Sequence, residues 1–211
     1  MAESAAETGA AGGQPGGGAG ACPAVPDRLL AAATRLFADR GFERTSVQDL
    51  VDAAGVTKGA MYHYFASKED VLFAVFRRVI ATQMRNLDAC ATAEGPVRER
   101  LRAAAVDVVE STVQNLDDMV IYFRSLHVLS LDRQDQVRAE RRQYQDRFRA
   151  LIEEGQSQRV FRTDVPADMV ASQYFGAVNH LGMWYRPDGE LGGAEIGGYY
   201  ADLLLTGLRP A

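Results

Sequence analysis

The chain has 211 residues, of which 47% are hydrophobic, and its formal net charge is -5 with an isoelectric point near 5.3. This apolar content is sufficient for a buried core, in one large domain or two small ones. The acidic balance argues against a protein that coats nucleic acid through bulk positive charge, so any DNA binding must depend on the placement of a few basic groups. No run of about 18 apolar residues occurs, which excludes a membrane-spanning helix.

The N-terminal residues 1–24 are rich in glycine and alanine and lack the basic and apolar regions of a secretory signal. They bury too little apolar surface to offset the entropy of ordering the backbone, so we expect a disordered tail. The two cysteines, Cys22 and Cys90, form no CxxC pair. This usage fits a reducing, cytoplasmic compartment.

The next segment has the pattern of three short helices. Apolar residues at helical spacing predict helices over residues 27–40, 47–54 and 58–64. Gly41 ends the first helix, and Gly55 makes the turn before the third. Polar N-cap residues precede the other two helix starts, with Thr45 or Ser46 before the second helix and Thr57 before the third.

The rest of the chain keeps the helical period, and no alternating strand pattern competes with it. A fourth helix begins at the capping sequence of residues 67–70. Further helices are expected over residues 97–115, 117–131, 133–159, 166–185 and 193–208. The sequence therefore predicts an all-α protein with a three-helix head in residues 25–70 and a helical body in residues 71–211.

The second and third helices have the arrangement of a helix-turn-helix. In that motif the second helix lies in the major groove of DNA, and its N-terminal residues reach base edges. Lys58 can donate to guanine O6 or N7, Gly59 lets the backbone approach the duplex, and the methyl group of Ala60 can contact a thymine methyl. The chain has only two lysines, Lys58 and Lys68, and both lie in this segment.

The second half of the third helix and two neighbouring helix starts are expected to hold phosphates. Tyr62, His63 and Tyr64 provide an aromatic, hydrogen-bonding rim, and the helix starts at residues 45–46 and 67–68 can bind anions. The alternative is that the hydroxyl groups are ordinary caps and that the two tyrosines are partly buried core residues. The predicted DNA contacts are Thr45, Ser46, Thr57, Lys58, Gly59, Ala60, Tyr62, His63, Tyr64 and Lys68.

The segment from Leu29 to Leu72 closely resembles the head of the TetR family of one-component transcriptional regulators. The matching pieces are Leu36-Phe37, Gly41-Phe42, Thr45-Ser46-Val47, Ala54-Gly55-Val56-Thr57-Lys58-Gly59, Met61-Tyr62-His63-Tyr64-Phe65 and Ser67-Lys68-Glu69. Met61 replaces the usual leucine, and His63 and Tyr64 stand in a less common order. The resemblance implies nine helices, three in the head and six in a ligand-binding and dimerising body.

The resemblance also implies a homodimer, in which the last two helices form a four-helix bundle with those of a second copy. Both predicted helices have apolar residues on more than one side, and Gly176, Ala177 and Gly182 would permit close approach. The alternative is that the two helices only complete the core of a monomer. Two heads spaced by one DNA turn would read a palindromic operator.

A pocket for an apolar ligand is expected between the body helices, although ordinary core packing is the alternative for each residue in it. The candidate lining residues are Met119, Tyr122, Phe123, Leu126, Tyr144, Phe148, Phe175, His180, Met183 and Trp184. The stretch of residues 184–189 resembles the TetR subgroup that controls sterol and fatty-acid catabolism and senses acyl-CoA thioesters. The helix predicted over residues 133–159 carries five arginines, one or two of which could bind CoA phosphates. The alternative is that these arginines form a solvated face. They are Arg138, Arg141, Arg142, Arg147 and Arg149.

These patterns predict a repressor that leaves its operator when a small apolar or acyl-CoA-type effector binds in the body. The fourth helix would carry the signal to the head through Phe73, Phe76, Val79 and Ile80. One alternative is an activator or a ligand-independent DNA-binding protein. Another is a helical enzyme, but the three histidines are far apart and no HExxH, GxSxG or P-loop motif occurs. We expect no enzyme activity, no cofactor and no bound metal.

Overall fold

The computed structural model describes residues 23–210, and all regular structure among them is helical. The predicted all-α fold class is confirmed. Residues 1–22 of the predicted tail, including Cys22, lie outside the described residues. The α-helices are α1 Val25–Arg40, α2 Val47–Ala54, α3 Lys58–Tyr64, α4 Lys68–Thr92, α5 Val97–Gln114, α6 Leu116–Ser125, α7 Leu131–Ser157, α8 Ala167–Asn179, α9 Leu181–Trp184 and α10 Gly193–Gly207.

Two predicted helices are shorter than expected. The helix expected over residues 117–131 ends at Ser125, and a short 3-10 turn, Leu126–Val128, connects it to α7. The helix expected over residues 166–185 ends at Asn179, where the His180 amide bonds to the carbonyls of Gly176 and Ala177 at 3.2 Å each. The single turn α9 follows this break. Counting α8 and α9 together gives nine helices within residues 23–210.

The buried apolar side chains form two clusters that meet along α4. The first cluster joins α1, α2 and α3 to the first half of α4, and it also contains Ile121, Leu129 and Val137 from the body. The second cluster contains the end of α4 together with α5, α7, α8 and α10. The 25 residues of α4 span about 37 Å. This helix therefore passes from one cluster to the other.

The proposed domain boundary at residues 70 and 71 lies inside the first cluster. Val71, Leu72 and Val75, just after that boundary, are fully buried among side chains of the head. The hydrophobic packing of the head continues across residues 70 and 71, so the division into a head and a body domain stays a prediction. A displacement of α4 would act directly on the core of the head.

Candidate DNA interface and internal cavity

The turn between α2 and α3 is held by one arginine. Gly55 has a left-handed backbone with a φ of 62°, and Arg28 of α1 donates from Nη2 to the carbonyls of Ala54 at 2.6 Å and Gly55 at 2.7 Å. An added Cβ at Gly55 would lie 2.7 Å from the same nitrogen. Glycine is therefore required both by the backbone angle and by the close approach of Arg28. These contacts fix the orientation of α3 relative to α2.

Helix α3 buries one residue deeply and presents the others to solvent. Met61 is fully buried, whereas Tyr62 and Tyr64 are each about half exposed and His63 is exposed. At the start of the helix the Ala60 amide donates to Thr57 Oγ1 at 3.1 Å. The partly buried core role considered for the two tyrosines therefore does not describe their placement. Thr57 is an ordinary N-cap as well as a candidate DNA contact.

The first residues of α3 are sterically and electrostatically free among the described residues. Lys58 is exposed and has no carboxylate within 4 Å in residues 23–210. A Cβ at Gly59 would meet only Thr57 Oγ1, at 3.8 Å. We refer to the N-cap Thr57 together with the α3 residues 58–60 and 62–64 as the α3 surface; all of these are exposed except Ala60, which is half-buried. It contains seven of the ten predicted DNA contacts, and their contact with DNA stays a prediction.

The predicted phosphate site at the start of α2 is already occupied by groups of the chain itself. Thr45 is fully buried, and its hydroxyl donates to the Gly41 carbonyl at 2.9 Å. The Ser46 amide donates to Asp49 Oδ2 at 2.8 Å, and the Asp49 amide donates to Ser46 Oγ at 3.1 Å. This is a complete capping box. Thr45 is thus not available to a phosphate, and the Asp49 carboxylate takes the place of an anion beside Ser46.

Lys68 also points inward, contrary to the expectation of a free phosphate-binding amine. Its Nζ donates to the carbonyls of Phe42 and Thr45, both at 2.8 Å, and lies 4.0 Å from the centre of the Phe42 ring. Burial lowers the pKa of this amine, although nearby Glu43 opposes the shift. Two of its three N–H groups are used within the protein. Lys68 therefore fastens the α1–α2 connection to the start of α4.

Lys68→Ala should consequently lower the stability of the head. We expect the free energy of unfolding to fall by about 1–3 kcal/mol, because two buried carbonyls lose a charged donor. Urea denaturation measures this loss, and Lys58→Ala is the matched control, with an unchanged midpoint expected. Weaker DNA binding by Lys68→Ala at unchanged stability would instead assign the amine to DNA.

A cavity lies in the body between α4, α5, α6, α7 and α8. Phe76, Val79 and Ile80 of α4 form one wall, as expected for the helix that would carry the signal. The volume of the cavity is about 60 Å³, far below the roughly 300–1,000 Å³ of typical small-molecule pockets. A larger ligand would have to widen it. The predicted lining residues that the cavity includes are Met119, Tyr122, Tyr144 and Phe175.

Six predicted lining residues lie elsewhere. Phe148 is fully buried in the second cluster, where its ring stacks on Tyr174 at 5.0 Å. Leu126 packs against the first cluster. The other four side chains are exposed: one lies on α6, and three lie at or just after the end of α8. These four are Phe123, His180, Met183 and Trp184.

Polar side chains connect the cavity to the head. Asp118 of α6 lines the cavity, and Thr34 Oγ1 of α1 lies 3.5 Å from Asp118 Oδ1. Arg78 of α4 donates to the same Thr34 hydroxyl at 3.1 Å. Burial raises the pKa of the Asp118 carboxyl to about 6, although Arg78 opposes the shift. A change at this wall of the cavity can therefore reach α1 directly.

Asp118→Asn should stabilise the protein in a pH-dependent way. Because the folded-state pKa of Asp118 lies above its unfolded value, ionisation costs stability as pH rises from about 4 through 6. The variant should match the wild type near pH 4 and exceed it by about 1–3 kcal/mol above pH 7. Urea denaturation across this range measures the difference, with Asp188→Asn in the exposed loop between α9 and α10 as control. A gain that does not depend on pH would contradict this account.

Helices α8 and α10 share an exposed apolar face. Leu203 and Tyr199 of α10 are 72% and 54% exposed, and Met169 of α8 is 64% exposed. A groove of about 310 Å³ runs between the two helices, with Leu203 and Gly207 on its α10 side. Gly176 has open space around it, whereas Gly182 packs toward Met119 of the body. Exposed apolar area of this kind often marks a protein interface.

Metal-binding clusters and membrane-spanning helices are both absent from residues 23–210. No cluster of three or more metal-binding side chains occurs there, and no helix in that range is long and apolar enough to cross a membrane.

Two family models match the chain. Residues 29–75 match the model described as bacterial regulatory proteins, tetR family, and residues 94–208 match the tetracyclin repressor-like C-terminal domain. The chain belongs to the TetR family. Proteins of this family are transcriptional regulators and not enzymes, so the enzyme alternative is set aside.

Similar proteins extend the match over most of the chain. The HTH-type transcriptional repressor KstR2 of Mycolicibacterium smegmatis is 30% identical over 187 residues, which cover 86% of this chain and 89% of that protein. The structure titled as the ketosteroid transcriptional regulator KstR2 of Mycobacterium tuberculosis is 26% identical, with a TM-score of 0.77 over 90% of this chain and 98% of that one. The expected likeness to regulators of sterol catabolism is consistent with these relatives.

The same fold occurs in AibR, whose structure is titled as a complex with isovaleryl coenzyme A and operator DNA. AibR is 24% identical to this TetR-family chain, with a TM-score of 0.72 over 88% of this chain and 98% of that one. This likeness concerns the fold. The helix-turn-helix and the DNA-binding, regulatory character of the present protein follow from its family.

Proposed function

We propose that this TetR-family protein is a dimeric repressor, which binds a palindromic operator when unliganded and leaves it when a small effector enters the body cavity. The observation that carries the proposal is that α4 serves both parts: Phe76 and Ile80 line the cavity and also belong to the hydrophobic cluster of the head. A regulator of this kind acts on DNA in the cytoplasm.

The α3 surface would enter the major groove. Lys58 would contact a base, because it is exposed and unpaired among the described residues. Tyr62, His63 and Tyr64 would hold phosphates and thereby set the register. Two such surfaces, held apart by the α8 and α10 faces of a dimer, would read two half-sites one DNA turn apart.

Release would follow from a difference in effector affinity between two positions of α4. The cavity is small, so a ligand larger than its volume must push α4 or α6 outward. Outward movement of α6 would separate Asp118 from Thr34, and movement of α4 would shift Arg78. Both changes loosen α1 and so alter the distance between the two α3 helices of the dimer.

The effector class that we propose is an apolar molecule or an acyl-CoA thioester. The apolar wall of the cavity supports an apolar effector. The AibR complex with isovaleryl coenzyme A supports an acyl-CoA thioester only as a property of a protein with the same fold. A CoA moiety is far larger than the cavity and would have to lie outside it.

Selection of duplexes from a random library provides the test of operator binding. The wild type should enrich a palindrome, and Lys58→Ala should bind the selected duplex about 10- to 100-fold more weakly, with relaxed preference at one base pair of each half-site. Arg85→Ala is the control, because it removes an exposed positive charge from α4 outside both the α3 surface and the α8 and α10 face. Unchanged affinity of Lys58→Ala would place the DNA interface elsewhere.

A reporter assay distinguishes a repressor from an activator and from a ligand-independent DNA-binding protein. Transcription from a promoter that carries the selected duplex should fall when the protein is present and recover when the effector is added. A rise in transcription would identify an activator. Mass spectrometry of small molecules retained by the purified protein would supply the effector, and operator binding that no retained molecule changes would indicate a ligand-independent DNA-binding protein.

A further inference from the structure

The start of α7 packs into the core of the head. Leu129, just before α7, and Val137, in its second turn, are buried in the first hydrophobic cluster. The connection before the helix is held from α7 itself, because Gln134 Nε2 donates to the Leu129 carbonyl at 2.7 Å. The body therefore contacts the head through the start of α7 as well as through α6.

Arg133 of α7 binds the first turn of α4. Its guanidinium donates from Nη2 to Asp70 Oδ1, and its Nη1 lies 3.5 Å from Glu69 Oε1. The Ser130 amide donates to the same oxygen of Glu69 at 3.1 Å. Burial opposes the shift, but the hydrogen bond and the charge of Arg133 hold the pKa of the Asp70 carboxyl below its usual value. One arginine is thus paired with two carboxylates of adjacent residues.

Arg133 also packs on an aromatic ring of α4. The centre of its guanidinium lies 5.1 Å from the centre of the Phe73 ring, and that of Arg77 lies 5.7 Å from the same ring. Arg77 in turn donates from Nε to Glu140 of α7 at 2.8 Å. Residues 70 and 77 on α4 and residues 133 and 140 on α7 are both seven positions apart, which is about two helical turns. The two helices therefore run side by side in the same direction here.

Of the arginines that join α4 to α7 in residues 23–210, Arg133 lies nearest the start of α4. The others are Arg77 and Arg147, and Arg147 donates to Asp88, near the other end of α4, at 2.7 Å. The side chains of Arg133 and Asp70 are 31% and 21% exposed, against 38% and 50% for Arg147 and Asp88. Because water and salt screen exposed pairs more strongly, the contact of Arg133 should be the firmer one.

The turn that Arg133 holds also carries Lys68. The amine of Lys68 donates to the carbonyls of Phe42 and Thr45, and Thr45 directly precedes the N-cap of α2. Arg28 then connects the end of α2 to the turn before α3. A continuous series of contacts therefore leads from the start of α7 to the α3 surface, and it does not pass through the cavity.

We propose that Arg133 is a positioning residue for operator binding. It holds the first turn of α4, and through Lys68 the start of α2, in the orientation at which the two heads of a dimer match the separation of the half-sites. This role rests on the proposed function, because it requires a dimer that reads a palindrome. Arg133 itself does not contact the DNA.

The selected duplex and two derivatives, with one base pair inserted or removed between the half-sites, test this role in the absence of effector. One base pair changes the separation of the half-sites by about 3.4 Å and rotates them by about 35°. The wild type should bind both derivatives at least about tenfold more weakly than the selected duplex. Arg133→Gln should bind the selected duplex more weakly and prefer it by less than about threefold, because heads that are held less firmly adjust their separation.

The ratio of the affinities distinguishes positioning from a loss of stability. An unfolded fraction lowers binding to every duplex by the same factor, which cancels in the ratio. Arg147→Gln is the matched control, since it removes an ion pair between the same two helices near the other end of α4, and it should keep the wild-type ratio. Adding Glu69→Gln to Arg133→Gln should not change the ratio further, because the loss of Arg133 already breaks its contact with Glu69.

Two kinds of failure can be told apart. If the wild type enriches a palindrome, the repressor function stands, and the role of Arg133 is overturned by any of three results. These are a wild-type ratio in Arg133→Gln, an equal loss of preference in Arg147→Gln, or a further loss in the double variant. A wild type that enriches no palindrome, or binds all three duplexes equally, would contradict the dimeric operator model, and the role of Arg133 would fall with it.

Discussion

Replacing Leu203 with aspartate should convert the proposed dimer into a monomer. Leu203 is 72% exposed on α10, beside the groove that α8 and α10 share. In a dimer with two-fold symmetry the same patch is used by both copies, so one substitution places two carboxylates in the interface. A charge that is buried without a partner costs several kcal/mol, which exceeds what the lost apolar area alone would cost.

Operator affinity should fall together with the dimer. A monomer reads one half-site, and it loses the effective concentration that links the second head to the DNA, so we expect a loss of at least about a hundredfold. Size-exclusion chromatography with light scattering measures the molar mass of the protein. Titration with the selected duplex measures its affinity for the operator. Both should be determined on the same preparation.

Leu131→Asp is the matched control for this substitution. Leu131 is 74% exposed but begins α7, away from the α8 and α10 face, and a carboxylate in the first turn of a helix is favourable. This variant should stay dimeric and bind DNA normally. A dimeric Leu203→Asp protein would show that the last two helices are not the interface.

Gly155→Ala should be the most destabilising single methyl addition in the body. A Cβ at Gly155 would lie 2.0 Å from Cδ2 and 2.2 Å from Cε2 of Phe161, whose side chain is 1% exposed. The ring has little room to move because its side chain is buried, and the Phe161 amide, which donates to the Gly155 carbonyl at 3.1 Å, keeps the backbone beside Gly155. Overpacking of this kind costs about 1–3 kcal/mol or more, and the better helix propensity of alanine offsets about 1 kcal/mol.

Urea denaturation of a matched pair measures this effect. Gly198→Ala adds the same methyl group inside α10, where a Cβ has no atom within 4 Å, so its stability should be unchanged or higher by up to about 1 kcal/mol. Phe161→Ala should cost less in the Gly155→Ala background than in the wild type, since the clash is then relieved. Equal stability of the two glycine variants would show that the end of α7 can rearrange.

The fold class and most helix ends could be predicted from the sequence because they depend on local chemistry. Gly41 and Gly55 end helices through their own backbone angles, and Thr57 caps α3 through a hydrogen bond to a residue three positions ahead. The break after Asn179 was missed, since no proline or left-handed glycine marks it. It results from local hydrogen bonding of His180 and from the packing of the single turn that follows.

Residue types and spacing alone determined that this chain is helical, that α3 follows a glycine turn, and that Lys58 stands at the start of α3. These features are set by contacts within a few residues. Only the tertiary structure decided that Thr45 and Lys68 face inward, that four of the ten candidate residues line the cavity, and that Asp118 lies beside Thr34 of the head. Such placements depend on which faces of helices distant in the sequence pack against each other. The spacing of apolar residues along one helix does not say which helix its apolar face will contact.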